Sequence, residues 1–182
     1  MAIATFDQLR ASSSLGEHVR MDDVRKSYRD KNLFLSHSLS DLRPAKSAVN
    51  LLERHGASVY LDVEDPGLQS TSPKETAQRL RSAIRTCRRL VVVITENTQT
   101  SRWIPWEMGI ADQELGESRV ALLPAKAQSY SAEDWSEQSY FNLYARIEPH
   151  SVNASPTWLV RTSAGAWISL SDWVSNTKPP LR

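Results

Sequence analysis

Two tryptophans and one carboxylate fall within five positions of each other in Ser101-Arg102-Trp103-Ile104-Pro105-Trp106-Glu107-Met108-Gly109-Ile110-Ala111-Asp112. Pro105 suits a first helical turn, where its missing N–H has no intrahelical partner to lose. Glu107 therefore sits near a helix start. Positions 103 and 107 are four apart and share a helix surface, which stands an indole beside a carboxylate. A ring and an acid so placed can hold a cationic ring or a sugar. A competing reading makes both tryptophans core anchors and leaves Glu107 as an acid favoured by the N-terminal end of the helix dipole.

An apolar strand must deliver the chain to that helix, and Leu90-Val91-Val92-Val93-Ile94 is the most β-rich run of the sequence. Its unbroken apolar character suits the centre of a parallel sheet. Upstream, residues 31–38 read as a first strand whose end, Ser36-His37-Ser38, opens into a loop. Ser40 or Asp41 can cap the following helix, Pro44 fits its first turn and Gly56 offers a left-handed stop. Residues 57–61 read as the second strand, followed by a long, acidic, turn-rich loop from Asp62 to Thr71, and loops of that length tend to be functional. Ser72-Pro73-Lys74-Glu75 is a capping box. In the helix it starts, Leu80, Ala83, Ile84 and Cys87 share one face, with Arg79, Arg81, Arg85 and Arg88 as solvated charges around the rest. Residues 119–124 give a fourth strand. Strand–helix alternation without hairpin signals predicts a doubly wound parallel sheet, whose ligand edge lies at the carboxyl ends of the strands.

The flanks are less regular. Residues 1–30 read as a short N-terminal helical arm, residues 31–148 as the main domain, and residues 149–182 as a C-terminal appendage packed on it. In the last part, Ser163-Ala164-Gly165 suggests a hairpin and Asp172-Trp173-Val174 a closing helical turn, with Trp158, Trp167 and Trp173 as packing anchors. Residues 140–147 read as an edge strand.

Composition removes several chemistries. Lys and Arg total 22 against 21 acids, so the net charge of +1 supplies no field for nucleic acid or an anionic membrane. No apolar run is long enough to span a bilayer and no signal-peptide core opens the chain, which points to a cytoplasmic protein. The single cysteine, Cys87, excludes an internal disulfide or a cysteine zinc cluster, and the four histidines lack metal-ligand spacing, so no metal is expected. GxGxxG, GxxxxGK[ST] and GxSxG are all absent, which sets aside the dinucleotide-fold, P-loop and nucleophile-elbow readings.

The order of the pieces, Leu33-Phe34-Leu35-Ser36-His37-Ser38, then Val59-Tyr60-Leu61-Asp62 with its acidic loop, then Leu90 to Ile94, then Ser101-Arg102-Trp103-Ile104-Pro105-Trp106-Glu107, resembles the bacterial TIR (Toll/interleukin-1 receptor) domain family. Within it the resemblance is to the stand-alone members of Thoeris-type anti-phage systems, over about residues 31–148, with a similar aromatic tail. The resemblance implies an α/β, flavodoxin-like, five-stranded parallel sheet of order 2-1-3-4-5. It implies cleavage of the nicotinamide–ribose bond of NAD+, which is substrate and not cofactor, to a cyclic or other ADP-ribose-type messenger. Glu107 matches the catalytic acid, Trp103 its aromatic neighbour on the nicotinamide side, and Trp106 either shares that role or anchors the helix. Ser36, His37 and Ser38 match the loop lining the pocket, and Asp62 matches the start of the mobile loop.

Nicotinamide leaves as a neutral molecule and needs no general acid. The oxocarbenium-like ribose left behind is what a carboxylate can stabilise. The usual phosphate-side arginine or lysine is missing, and Lys74, Arg102 and His37 stand as candidates for it. The resemblance also implies self-association, with a second copy closing a site open on one side, and a downstream effector that senses the product. Two alternatives share the fold: a non-catalytic TIR interaction module, and a nucleoside deoxyribosyltransferase-like enzyme.

Overall fold

The computed structural model of the chain describes residues 2–11, 28–62, 72–127, 139–152 and 155–175. Its strands are β1 (Ala4–Thr5), β2 (Leu33–Ser36), β3 (Val59–Leu61), β4 (Leu90–Ile94), β5 (Val120–Lys126), β6 (Ala145–Val152), β7 (Ser155–Arg161) and β8 (Trp167–Ser169). Its α-helices are α1 (Phe6–Ala11), α2 (Leu42–Arg54), α3 (Pro73–Cys87), α4 (Ile104–Leu115) and α5 (Leu170–Ser175). The sheet runs β3-β2-β4-β5-β6-β7-β8, with β1 added alongside β5. The strands from β3 to β6 pair in parallel, and β7 and β8 continue antiparallel. Every residue of β2, β3, β4 and β5 is buried, as expected of strands covered on both faces.

Side-chain alternation divides the core in two. Leu33, Leu35, Val91 and Val93 face α2, with Leu9 of α1 and Trp173 of α5 in the same cluster. Phe34, Tyr60, Leu90 and Val92 face α3 and α4. The predicted box at α3 forms: the Ser72 Oγ accepts from the Glu75 N–H, and the Glu75 carboxylate accepts from the Ser72 N–H at 2.9 Å. Gly56, at φ +92°, follows α2 in the left-handed region that glycine favours. Asp41 departs from its expected use as a cap. Its carboxylate turns from the α2 backbone to accept from Thr95 Oγ1 at 2.5 Å and Asn97 Nδ2 at 2.8 Å, tying the loop after β2 to the loop after β4.

The flanks add to the sequence reading. The five expected parallel strands stand in the order β3-β2-β4-β5-β6, and among the described residues β1, β7 and β8 join them; the expected edge strand spans Ala145–Val152 in the sheet interior, because its antiparallel pairing with β7 buries the flank that would be an edge. Residues 139–143 form a 3-10 turn before it. The expected hairpin around Gly165, at φ +91°, joins β7 to β8, and through it the C-terminal part extends the sheet. At the other end, Ala4 and Leu9 are fully buried, so the described start of the N-terminal arm belongs to the main core. The rest of the arm, residues 12–27, lies outside the described residues. Trp158 and Trp173 are buried anchors, but Trp167 is 59% exposed because it stands on the outermost strand.

Candidate active site

Glu107 enters the fold on the wrong face for an acid. In α4 the buried residues are Ile104, Glu107, Met108 and Ala111, the i, i+3, i+4, i+7 stripe that packs a helix onto a sheet. The carboxylate is thus carried down among apolar groups, and Glu107 is 3% exposed. Pro105 occupies the first turn and Trp103 the N-cap position, where its carbonyl accepts from the Glu107 N–H at 2.9 Å.

The sheet supplies a partner. Ser36 lies two residues beyond Phe34 and so faces α4, and its Oγ donates to Glu107 Oε2 at 2.5 Å. Phe34 is paired with Tyr60, which sets Asp62, two beyond Tyr60, at the height of Ser36 on the neighbouring strand end. Burial pushes the Glu107 carboxyl from its ordinary 4.5 up to about 8; the charge of Asp62 acts in the same direction, and the Ser36 hydrogen bond opposes both. A carboxyl so raised is neutral at pH 7.

His37 follows Ser36, with its side chain 1% exposed and its Nδ1 3.8 Å from Asp62 Oδ1. Burial lowers its pKa to about 4, against a smaller opposing pull from Asp41, so the ring is neutral at pH 7. Ser38 is buried at the same loop. Ser36, His37, Asp62 and Glu107 are thus brought together at the carboxyl ends of β2 and β3, under the N-terminal turn of α4.

The tryptophans divide. Trp106 is part-buried against the α3/α4 core, whereas Trp103 is 42% exposed; the two indoles meet edge to face at 5.4 Å and 83°. Trp103 is therefore no core anchor. Its large apolar face is open at the mouth of the helix that carries the acid, and Trp106 braces it. The phosphate-side candidates Lys74 and Arg102 are both exposed, Arg102 next to Trp103 and Lys74 at the start of α3. The acidic loop, residues 63–71, lies outside the described residues. A cavity of about 500 Å³ lies at the ends of β2, β4 and β5, lined by Phe6, Asp41, Arg43, Thr95, Asn97 and Lys126 among others. It is separate from the acid, since neither Ser36 nor Glu107 lines it. Among the described residues no His, Cys, Asp or Glu cluster is arranged to hold a metal, and no helix is long and apolar enough to cross a membrane.

A sequence model for the TIR domain matches residues 33–153, from the first residue of β2 to just past β6. The chain belongs to the TIR domain family. The TIR match accounts for every residue of the Ser36–Glu107 site and stops before β7, β8 and α5. A relative from Bacillus cereus (strain MSX-D12), named probable 3' cyclic ADP-D-ribose synthase ThsB', is 36% identical over 157 residues, which cover 83% of this chain and 76% of the relative. That similarity reaches beyond the TIR match.

Sequence reasoning singled out Glu107, its tryptophans and the Ser-His-Ser loop but missed the Asp41–Thr95–Asn97 tie that fixes this loop. The only sequence signal for it was a lone aspartate already accounted for as a helix cap. It also expected a site open on one side. The acid itself is nearly closed off within a single chain.

Proposed function

We propose that this TIR protein cleaves the nicotinamide–ribose bond of NAD+ and closes the ADP-ribose part into a cyclic nucleotide, which a downstream effector reads in anti-phage defence. The observation that carries the proposal is a buried glutamate, hydrogen-bonded to Ser36 and flanked by an exposed tryptophan, in a chain similar to a named cyclic ADP-D-ribose synthase.

The chemistry follows from the site. Trp103 offers a π face to the cationic pyridinium ring. A cation brought beside Glu107 favours its carboxylate over the neutral acid, so the field needed at the anomeric carbon develops as substrate arrives. Ser36 holds that carboxylate in place. Nicotinamide then departs with the bonding electron pair, and the carboxylate stabilises the oxocarbenium-like ribose in a site where little water screens it. Ring closure requires a hydroxyl of the same molecule to reach the anomeric carbon before water does. The protein works in the cytoplasm in this reading, with NAD+ as substrate and no separate cofactor.

The test is mass spectrometry of the products that the purified full chain forms from NAD+. A cyclic ADP-ribose isomer with stoichiometric nicotinamide is the expected result. Absence of any NAD+ consumption across protein concentrations would leave the chain an interaction module.

A further inference from the structure

We propose that His37 holds the acceptor hydroxyl and takes its proton when the ring closes. The inference rests on the reading above and adds a residue and a step to it.

The side chain of His37 is 1% exposed, yet neither Nδ1 nor Nε2 has a hydrogen-bond partner among the described residues. A buried imidazole ordinarily gives its N–H to one acceptor and takes a hydrogen bond at the other nitrogen. Asp62, at 3.8 Å, is too far to serve as that acceptor. A whole donor–acceptor pair is thereby left in a buried position, one residue from the serine that binds Glu107. Two carboxylates face the ring: Asp62 from the end of β3 and Asp41 from the start of α2. A proton arriving on the ring meets negative charge on those sides, while burial keeps the ring unprotonated until then. The group thus has the form of a base that is empty before the reaction and stabilised once filled.

The step balances without any other reactant. The bond from the anomeric carbon to nicotinamide breaks, and its electron pair leaves with the neutral nicotinamide. A lone pair of the substrate's own ribose hydroxyl forms the new carbon–oxygen bond. The hydroxyl proton passes to a ring nitrogen of His37 and then to solvent, so one NAD+ gives one nicotinamide, one cyclic product and one proton. Water can attack the same carbon without help. A histidine that orients one hydroxyl therefore decides the share of cyclic against linear product, more than the rate of nicotinamide release.

The experiment measures total nicotinamide and the cyclic-to-linear ratio for the full chain and for His37→Asn and His37→Gln, with the thermal midpoint of each. Both amides can hydrogen-bond but cannot accept a proton at neutral pH. The expected result is that nicotinamide release falls by no more than about tenfold, while the cyclic-to-linear ratio falls by at least about tenfold. A merely structural histidine lowers both products together. A folded variant with the wild-type ratio overturns the inference; if one variant does not fold, the other carries the test. A wild-type chain that releases nicotinamide but makes only linear product also overturns it and leaves NAD+ cleavage standing. A wild-type chain that consumes no NAD+ removes the proposed function itself.

Discussion

The hydroxyl of Ser36 donates to the carboxylate of Glu107 at 2.5 Å across 71 residues of chain, joining the end of β2 to the first turn of α4. That bond is made in a place where burial alone drives the acid toward its neutral form. Its energetic role is to moderate the burial, and several measurable effects stem from this balance.

Glu107→Gln removes the charge that faces the developing cation, and the expected loss in turnover is about 100-fold or more. The same variant has a signature in stability. Between 4.5 and about 8 the folded wild type keeps a proton on Glu107 that the unfolded chain releases, so this contribution is full below 4.5 and disappears as pH rises through about 8. His37 acts oppositely: its contribution is full above 6.5 and is lost as pH falls toward about 4. Together they put the wild-type optimum from these two groups between 4.5 and 6.5. Thermal melts should show the midpoint of the glutamine variant rising relative to wild type as pH climbs toward 8. A constant difference over that range would mean that Glu107 is ionised in the free protein.

Ser36→Ala deletes a hydrogen bond that lowers the Glu107 pKa. The expected pH profile of kcat/KM rises with ionisation of the acid in the wild type and shifts to higher pH in the variant. At neutral pH this costs roughly tenfold, with part of the loss recovered in alkaline buffer. An unshifted profile with uniformly lower activity would assign Ser36 to packing.

Trp103 and Trp106 should separate in a paired experiment. Trp103→Ala removes an exposed ring, so KM rises and turnover falls while the thermal midpoint moves little, a surface change being worth within about 0.5 kcal/mol. Trp106→Ala removes a ring packed on the core and is expected to cost about 1–3 kcal/mol in denaturant unfolding. Wild-type kinetics for the first variant would make Trp103 irrelevant to substrate.

Self-association is expected to raise specific activity. Leu39, 82% exposed in the loop after Ser36, and Trp103, 42% exposed before Glu107, are large apolar side chains left in water beside the site. Activity per molecule should increase from nanomolar to micromolar protein, with light scattering following the same curve, and Leu39→Asp should flatten both. Flat activity from a monomer would show that one chain completes the site.

Much of this was written in the residue pattern. The apolar strands, the box at Ser72 and Glu75, and the position of Pro105 each depend on local rules, and each element lies where those rules place it. Glu107 was legible as a carboxylate at a helix start, while its burial with Ile104, Met108 and Ala111 went unread. What escaped was long-range. Asp41 has the same local pattern whether it caps a helix or binds Thr95 and Asn97, 54 and 56 residues away. The flank of β6 turns from edge to interior only through pairing with β7, which the composition of residues 140–147 does not encode. Nor did the sequence reveal that Asp62 stands at the height of Ser36, because that depends on the β2–β3 register.

The antiparallel extension of the sheet also bears on how copies of the protein can join. With β6 interior, the outer strands of the main sheet are β3 and β8, and each is three residues long. Borders so short present few free backbone groups, so they make poor templates for adding a strand from another molecule. Self-association of this chain is therefore expected to use side chains meeting across faces and corners, where Leu39 and Trp103 stand exposed, and not a sheet that runs on from copy to copy.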